Sequence, residues 1–180
     1  MPRFVVLLRG VNVGKGNRVP MADFRSLLEA LGFTRVQTVL NSGNAVFDSD
    51  ASPAAAHASR IALALRERLG LDVAVVVKSA RDFLGAVAQN PLAPAVGEHS
   101  RFIVAFAQDA ASLRDLSALL PLVQPPEQFS VGPQAAYLHC AGGILQSNVA
   151  TALLGKAGRA VTTRNLATVT RLAGLLADGA

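Results

Sequence analysis

The segment that decides the fold reads FVVLLRGVNVGKGNRVP over residues 4–20. Its first five residues are apolar and include two valines, which predicts a buried strand. Pro20 suits the first position of a helix. The helix is then marked by apolar residues at helical spacing and by a terminating glycine, namely Phe24, Leu27, Leu28, Leu31 and Gly32. The connection between strand and helix is rich in glycine, asparagine and cations, more than a plain connection requires.

The same order of elements is predicted twice along the chain. Strand, helix, strand, strand and helix follow one another from Phe4 and again from Arg101, although the residues themselves do not repeat. This order predicts an α+β protein of two ferredoxin-like βαββα halves, each with its sheet covered by helices on one face. One continuous mixed sheet is the alternative. We expect the subdomains to span residues 1–90 and 91–180, with residues 91–100 as the linker.

The composition favours a folded, soluble protein. Apolar residues make up 51% of the 180 residues and charged residues 16%, so a large core is expected and disorder is not. The single cysteine, Cys140, excludes a disulfide framework and fits a reducing compartment. No apolar run is long enough to cross a membrane, and the run at the N-terminus is too short for a signal peptide. We therefore expect a cytoplasmic location.

The net charge of +5, from 17 cations and 12 acids, admits polyanionic partners. The cations are scattered, however, and form no basic run. Phe4 and Phe47 are the only residues placed to stack on RNA bases in such a fold, and packing in a core explains both. Nucleic acid is therefore the less favoured partner.

No catalytic constellation is visible. His139 and Cys140 are neighbours in a predicted strand, so their side chains point to opposite faces and cannot form a dyad. His57 and His99 lack partners at metal-ligand spacing. We interpret Asp48 and Asp50 as surface carboxylates at a strand end. No metal and no cofactor is expected, and the sequence indicates no reaction.

The polar connection after the first strand is the main candidate for a site. It lacks the spacing of a P-loop and the third glycine of a dinucleotide fingerprint. Glycines nevertheless let backbone amides approach an anion, and the helix start at Pro20 adds partial positive charge. The candidate ligand-binding residues here are Arg9, Asn12, Gly14, Lys15 and Arg18. The alternative is a long turn with solvated cations.

Two further polar segments lie at the edges of predicted elements. Ser42, Gly43 and Asn44 form a turn beside the first strand, close to Arg9 in the predicted sheet. Thr163, Arg164 and Asn165 are predicted to open the last helix, with Thr163 as the N-cap. A cation at Arg164 would oppose the helix dipole, and a bound anion would offset this. An exposed arginine is the alternative.

These three segments predict one cleft that binds a phosphorylated or otherwise anionic small molecule. Arg9 and Arg164 would pair with the anion, while Asn12, Ser42, Asn44 and Asn165 would orient it. A weak nucleic-acid-binding module is the second hypothesis. The third is that the polar segments are a structural network of buried arginines and asparagines.

The same segments resemble a widespread bacterial family described only as a domain of unknown function, number sixteen-ninety-seven. The similar blocks are LLRGVNVG at 7–14, VPM at 19–21, LEALGF at 28–33, SGNAVF at 42–47 and TTRNLATV at 162–169. The resemblance implies a two-lobed α/β fold with ferredoxin-like halves, and it implies no activity. The family usually has glycine where Lys15 stands and tryptophan where Leu166 stands.

Overall fold

Two four-stranded antiparallel sheets organise the protein in a computed structural model that describes residues 1–92 and 97–178. The first sheet belongs to a βαββαβ run. Its elements are β1 Arg3–Leu8, α1 Met21–Ala30, β2 Thr34–Val39, β3 Asn44–Asp48, α2 Ala54–Leu69 and β4 Val75–Ser79. The strand order β2-β3-β1-β4 places the first strand inside the sheet, as in a ferredoxin-like fold.

The second sheet follows α3, which spans Ala80–Ala88. The elements after α3 are β5 Phe102–Ala107, α4 Ala110–Asp115, β6 Gln128–Val131, β7 Ala136–His139, α5 Asn148–Leu154, β8 Val161–Asn165 and α6 Leu166–Ala177. The strand order is β6-β7-β5-β8. Each strand thus has a counterpart in the first sheet, which confirms the predicted α+β fold with two ferredoxin-like halves. The sheets are separate, so the alternative of one continuous sheet is wrong.

The chain divides into two compact units. The first contains Met1–Phe83 and Leu172–Ala180, and the second contains Leu84–Arg171. The helices α3 and α6 each cross a boundary between units, so the end of α6 belongs with the first unit. The sequence-based division falls between residues 90 and 91. Part of the predicted linker, residues 93–96, lies outside the described residues.

The core of the first unit lies between its sheet and the helices α1 and α2. Alternate residues of β1 face the helices, and Phe4, Val6 and Leu8 share a cluster with Phe24 and Ile61. Burying each such side chain contributes about 1.5–3 kcal/mol. The residues between them on β1, Val5 and Leu7, are also fully buried. Both faces of β1 are therefore covered, which explains its continuous apolar sequence.

The core of the second unit is built in the same way. Ile103, Ala105 and Ala107 of β5 pack in one cluster with Leu113 of α4 and Val149 of α5.

The predicted hairpin around Gly132 and Pro133 is present as the antiparallel pair β6 and β7. In the described part of the chain, no helix combines the length and the apolar character that crossing a membrane requires.

The start of the last helix differs from the prediction. Thr163, Arg164 and Asn165 belong to the strand β8, and α6 begins at Leu166. The three residues pair with β5, because the β-branched threonines suit a strand beside an apolar neighbour. The expectation that Thr163 caps the helix and that Arg164 lies in its first turn is therefore wrong.

Candidate functional site

The polar loop between β1 and α1 is closed by the side chain of Asn12. Its Nδ2 donates to the carbonyl of Val19 at 2.8 Å, and its Oδ1 accepts the N–H of Val19 at 2.9 Å. The N–H of Asn12 also donates to the carbonyl of Asn17 at 2.9 Å. Both ends of the loop are thereby held together. Asn12 shapes the loop, and its amide is already occupied by the backbone.

The tip of this loop is exposed to solvent. Gly10, Asn12, Gly14 and Asn17 have φ of 64°, 55°, 58° and 28°, a left-handed conformation that glycine and asparagine adopt most easily. Among the described residues, none accepts the backbone N–H of Gly14 or Lys15. When residues with positive φ alternate with residues of negative φ, their backbone N–H groups point into a shared concavity, and anions bind at such concavities in many proteins.

The cations of the loop differ in their surroundings. Lys15 and Arg18 are exposed, and Nη2 of Arg18 donates to the carbonyl of Gly14 at 2.6 Å. Arg9 is half-buried, and its backbone N–H donates to Ala74 of the segment before β4 at 3.0 Å. Burial lowers the pKa of the Arg9 guanidinium from its ordinary value. The loop thus presents two solvated cations and one partly desolvated cation.

The turn between β2 and β3 lies against the same loop. Nδ2 of Asn12 donates to the carbonyl of Asn41 at 2.7 Å, and the N–H of Leu8 donates to the carbonyl of Gly43 at 2.9 Å. Gly43 has φ of 78°, and a Cβ there would come within 2.6 Å of Val11 and 2.7 Å of Leu8. Only glycine fits this contact. The first two polar segments therefore meet within the first unit.

Asn44 and Ser42 hold this turn together. Asn44 is fully buried, and its Nδ2 donates to the carbonyl of Val39 and to Oγ of Ser42, both at 3.0 Å. A buried amide of this kind must be satisfied by the protein. Asn44 therefore positions the turn, while Ser42 is half-buried.

The third polar segment lies in the second unit. Asn165 ends β8, and its Oδ1 accepts the N–H of Thr168 at 2.9 Å. This bond is the usual one of an N-cap residue, so Asn165 takes the role predicted for Thr163. Thr163 is half-buried and Asn165 is exposed. Whether this segment shares a cleft with the loop of the first unit stays a prediction.

Arg164 is a buried cation, and the idea that it is an exposed arginine is wrong. It retains 7% of its exposure, and its Nη1 donates to Oγ1 of Thr162 and to the carbonyl of Thr163, both at 2.7 Å. Burial lowers its pKa to about 10, so the guanidinium stays charged at neutral pH. The hydrogen bonds offset part of the cost of desolvating that charge.

The register of the sheets reveals a feature that the sequence does not show. Arg164 of β8 pairs with Val104 of β5, and Lys78 of β4 pairs with Val5 of β1. Val104 and Val5 occupy corresponding positions, since their neighbours face the helices in both units. Each unit therefore carries a cation at the same position of its fourth strand, on the sheet face opposite its helices. A sequence without internal repeats gives no signal for this correspondence.

A cluster of charges at one end of the first sheet was also missed. Asp48 was interpreted as a surface carboxylate, but its side chain is only 7% exposed. Its Oδ2 lies 3.1 Å from Nε of Arg35, and its Oδ1 lies 3.8 Å from Nη1 of Arg3. Arg35 has φ of 48° where the pairing of β2 and β3 shifts register between Thr34 and Gln37. Arg35 meets the carboxylate where the register shifts, and sequence patterns rarely reveal such an irregularity in strand pairing.

Within residues 1–92 and 97–178, the remaining titratable side chains form no visible catalytic group. His139 lies 2.8 Å from Oε2 of Glu98, and burial raises the pKa of the Cys140 thiol. His57 is fully buried against the rings of Phe4 and Phe33, at 4.7 and 5.3 Å. In the described residues, no three His, Cys, Asp or Glu side chains are grouped as metal ligands would be.

Fold and sequence together define the class of this protein, an α+β chain with two ferredoxin-like units and a polar glycine-rich loop after its first strand. Residues 1–137 match the family described as "Protein of unknown function (DUF1697)", and the chain belongs to that family. This confirms the family that the sequence resembles.

One solved structure extends the likeness to nearly the whole chain. The conserved bacterial protein SP0830 from Streptococcus pneumoniae is 24% identical, with a TM-score of 0.80 over 97% of this chain and 98% of that one. At this identity the likeness shows the fold alone. None of the curated proteins matches the chain.

Proposed function

We propose that this protein binds a phosphorylated or otherwise anionic small molecule, and that the loop of residues 10–18 is the binding element of its first unit. One observation carries the proposal: Asn12 fixes both ends of the loop, so the donors at its tip are ordered before a ligand arrives. Preorganised donors bind more tightly, because less entropy is lost on binding.

The residues of the loop divide into two roles. The backbone N–H groups of Gly14 and Lys15, the Lys15 ammonium and the Arg18 guanidinium would contact the anion. Charge-assisted hydrogen bonds of this kind are the strongest that a protein offers. Arg9 would add charge from the end of β1.

Asn12 and Asn44 act as positioning residues in this proposal, because the protein already occupies their amides. For these two residues the hydrogen bonds favour the third hypothesis of the sequence analysis, in which the polar segments form a structural network. Ser42 remains a candidate for the same ligand, Thr163–Asn165 remain candidate ligand residues of the second unit, and a reducing, cytoplasmic compartment remains the proposed location.

Calorimetric titration with inorganic phosphate and with a panel of phosphorylated metabolites, at fixed ionic strength, tests the proposal. The double variant Lys15→Gln, Arg18→Gln should weaken binding at least about tenfold, since each charge-assisted bond is worth about 1.5–3 kcal/mol. Its melting temperature should be unchanged, because both side chains are exposed. Arg68→Gln on α2 removes an equally exposed charge and should leave binding unaltered.

Two results would overturn this assignment. Equal binding by the double variant and the unmodified protein would exclude the loop. Tight binding of RNA or DNA with a steep dependence on salt would favour the alternative, a nucleic-acid-binding module.

A further inference from the structure

We infer that the anion bound by the loop of residues 10–18 is a phosphate monoester with an apolar body, and that Val13 and Leu40 contact that body. The inference rests on the proposed function and narrows its ligand class. Two apolar side chains at the loop carry it, because both face solvent: Val13 retains 66% of its exposure and Leu40 retains 53%.

The two side chains flank the place where the loop meets the turn between β2 and β3. Val13 directly follows Asn12, and Leu40 directly precedes Asn41, whose carbonyl accepts from Nδ2 of Asn12 at 2.7 Å. Consecutive Cα atoms are only about 3.8 Å apart, so the two apolar residues lie on neighbouring segments of one surface. Val13 also precedes Gly14, whose backbone N–H is a proposed donor to the anion. An anion at this N–H therefore has an apolar side chain beside it.

The backbone of Leu40 is strained. Its φ is 57°, a left-handed conformation that costs a leucine more than an asparagine or a glycine. Burial in the core does not offset this cost, because the residue stays more than half exposed. Backbone strain of this kind is concentrated at functional sites. A contact between Leu40 and a ligand would account for a leucine at this position of the turn.

Exposed apolar residues are few in the described part of the first unit. The large ones are Met1, Val13, Leu40 and Leu63. Met1 is the first residue of the chain, and Leu63 lies on the solvent side of α2. Single exposed apolar residues are normal on protein surfaces, whereas Val13 and Leu40 lie on adjacent segments beside one set of donors. They are therefore placed to form the apolar wall of the anion site.

The charges favour a phosphate over a carboxylate. Residues 9–18 contain three cations and no acid, and residues 40–44 contain no charged residue. A phosphate monoester carries close to two negative charges at neutral pH, so it neutralises more of this positive charge than a carboxylate does. Its single substituent can point away from the cations, toward Val13 and Leu40. The two segments therefore suit a phosphate monoester whose alcohol part is apolar.

Calorimetric titration of the full chain with methyl phosphate and with 1-naphthyl phosphate at about pH 8 tests the inference, because both esters then carry two negative charges and differ in their apolar part. The naphthyl ester should bind at least about tenfold more tightly, since burying about 55 Å² of apolar surface corresponds to that factor. The double variant Val13→Ser, Leu40→Asn should lose this preference. Its melting temperature should not fall, because asparagine tolerates the left-handed φ of residue 40. Leu63→Asn removes a similarly exposed leucine from α2 and should keep the preference.

Equal affinities of the unmodified protein for the two esters would overturn the inference and leave the anion site standing, as would a preference that survives in the double variant. If neither ester binds, the proposed function is wrong and the inference falls with it. Binding of the naphthyl ester that persists in the variant Lys15→Gln, Arg18→Gln would place the apolar contact elsewhere and overturn the inference.

A membrane surface is the rival partner, because exposed apolar residues beside cations also bind anionic lipid. Sedimentation with phosphatidylglycerol vesicles, compared with phosphatidylcholine vesicles, tests it. We expect the protein to stay in the supernatant with both. Sedimentation with the anionic vesicles alone that the double variant Val13→Ser, Leu40→Asn abolishes, without a preference between the two esters, would assign the apolar residues to a membrane and overturn the inference.

Discussion

Asn12 and Val19 are joined by hydrogen bonds in both directions: the amide nitrogen of the side chain donates to the carbonyl of Val19, and the amide oxygen accepts its N–H. The same nitrogen reaches the carbonyl of Asn41 in the neighbouring turn. One side chain thus joins the loop after β1 to the start of α1 and to the turn before β3. The fixed conformation of the loop at the proposed site depends on the side-chain amide of Asn12.

Asn12→Asp should lower the free energy of unfolding by about 1–3 kcal/mol. The substitution keeps the acceptor for Val19 N–H but removes the donor, so the carbonyls of Val19 and Asn41 lose their partner and face a carboxylate. Denaturant unfolding at neutral pH measures the effect. Asn17→Asp changes an exposed residue of the same loop in the same way and should cost much less. Equal stability of the two variants would contradict the role given to Asn12.

Gly43→Ala should destabilise the first unit by about 3 kcal/mol. The added methyl group would overlap Val11 and Leu8, and overpacking costs about 1–3 kcal/mol in addition to the cost of a left-handed φ. Gly10→Ala is the control, because Gly10 also has a positive φ but no atom lies within 4 Å of its Cβ position. Thermal melting of both variants separates the two costs, and a comparable loss in both would show that the contact with Val11 is unimportant.

Much of the fold could be predicted because its signals are local. The apolar run of Phe4–Leu8 and the turn chemistry of Gly43 both depend on neighbouring residues, and repetition of the element order revealed the two halves. The start of α6 was misplaced for a local reason as well. Thr163 and Asn165 are both good N-cap residues, and the hydrogen bond from the N–H of Thr168 to Oδ1 of Asn165 decides between them.

The site was harder to predict because its contacts are distant in sequence. No residue near Asp48 in the sequence indicates that Arg35 lies beside it, since the two meet where the pairing of β2 and β3 shifts register. Arg164 was expected in the first turn of a helix, where it would bind an anion or, as the alternative, be exposed, whereas it lies on the strand β8 and is buried. The prediction that Asn12 contacts a ligand stays a prediction, and its hydrogen bonds with Val19 and Asn41 show a positioning role that composition alone could not distinguish from direct binding.

His57 should make the protein less stable in mild acid. Burial is the main reason that its pKa lies below the ordinary value of 6.5, and its ring packs among Phe4, Phe33 and Phe47. The unfolded chain therefore binds a proton at a higher pH than the folded protein does. The contribution of neutral His57 is complete above pH 6.5, falls as the pH drops below 6.5, and levels off below the folded pKa.

Unfolding measured between pH 7 and pH 5 tests the role of His57. His57→Leu keeps an apolar side chain at the position and should flatten this part of the pH profile. An unchanged slope in the variant would assign the pH dependence to another group.

Arg164→Ala should lower the free energy of unfolding by about 2–4 kcal/mol. The change removes a buried side chain and leaves a void, and it removes the donor to Thr162 and Thr163. Arg164→Lys keeps the charge but loses the planar fork, so its stability should fall between that of the unmodified protein and that of Arg164→Ala. Arg159→Ala, at an exposed position of the same unit, should have almost no effect. Denaturant unfolding measures all three variants, and calorimetry with inorganic phosphate then shows whether Arg164 also binds an anion. A variant that keeps its full stability and loses phosphate binding would return Arg164 to the ligand site, whereas the burial of its guanidinium leads us to expect the loss of stability.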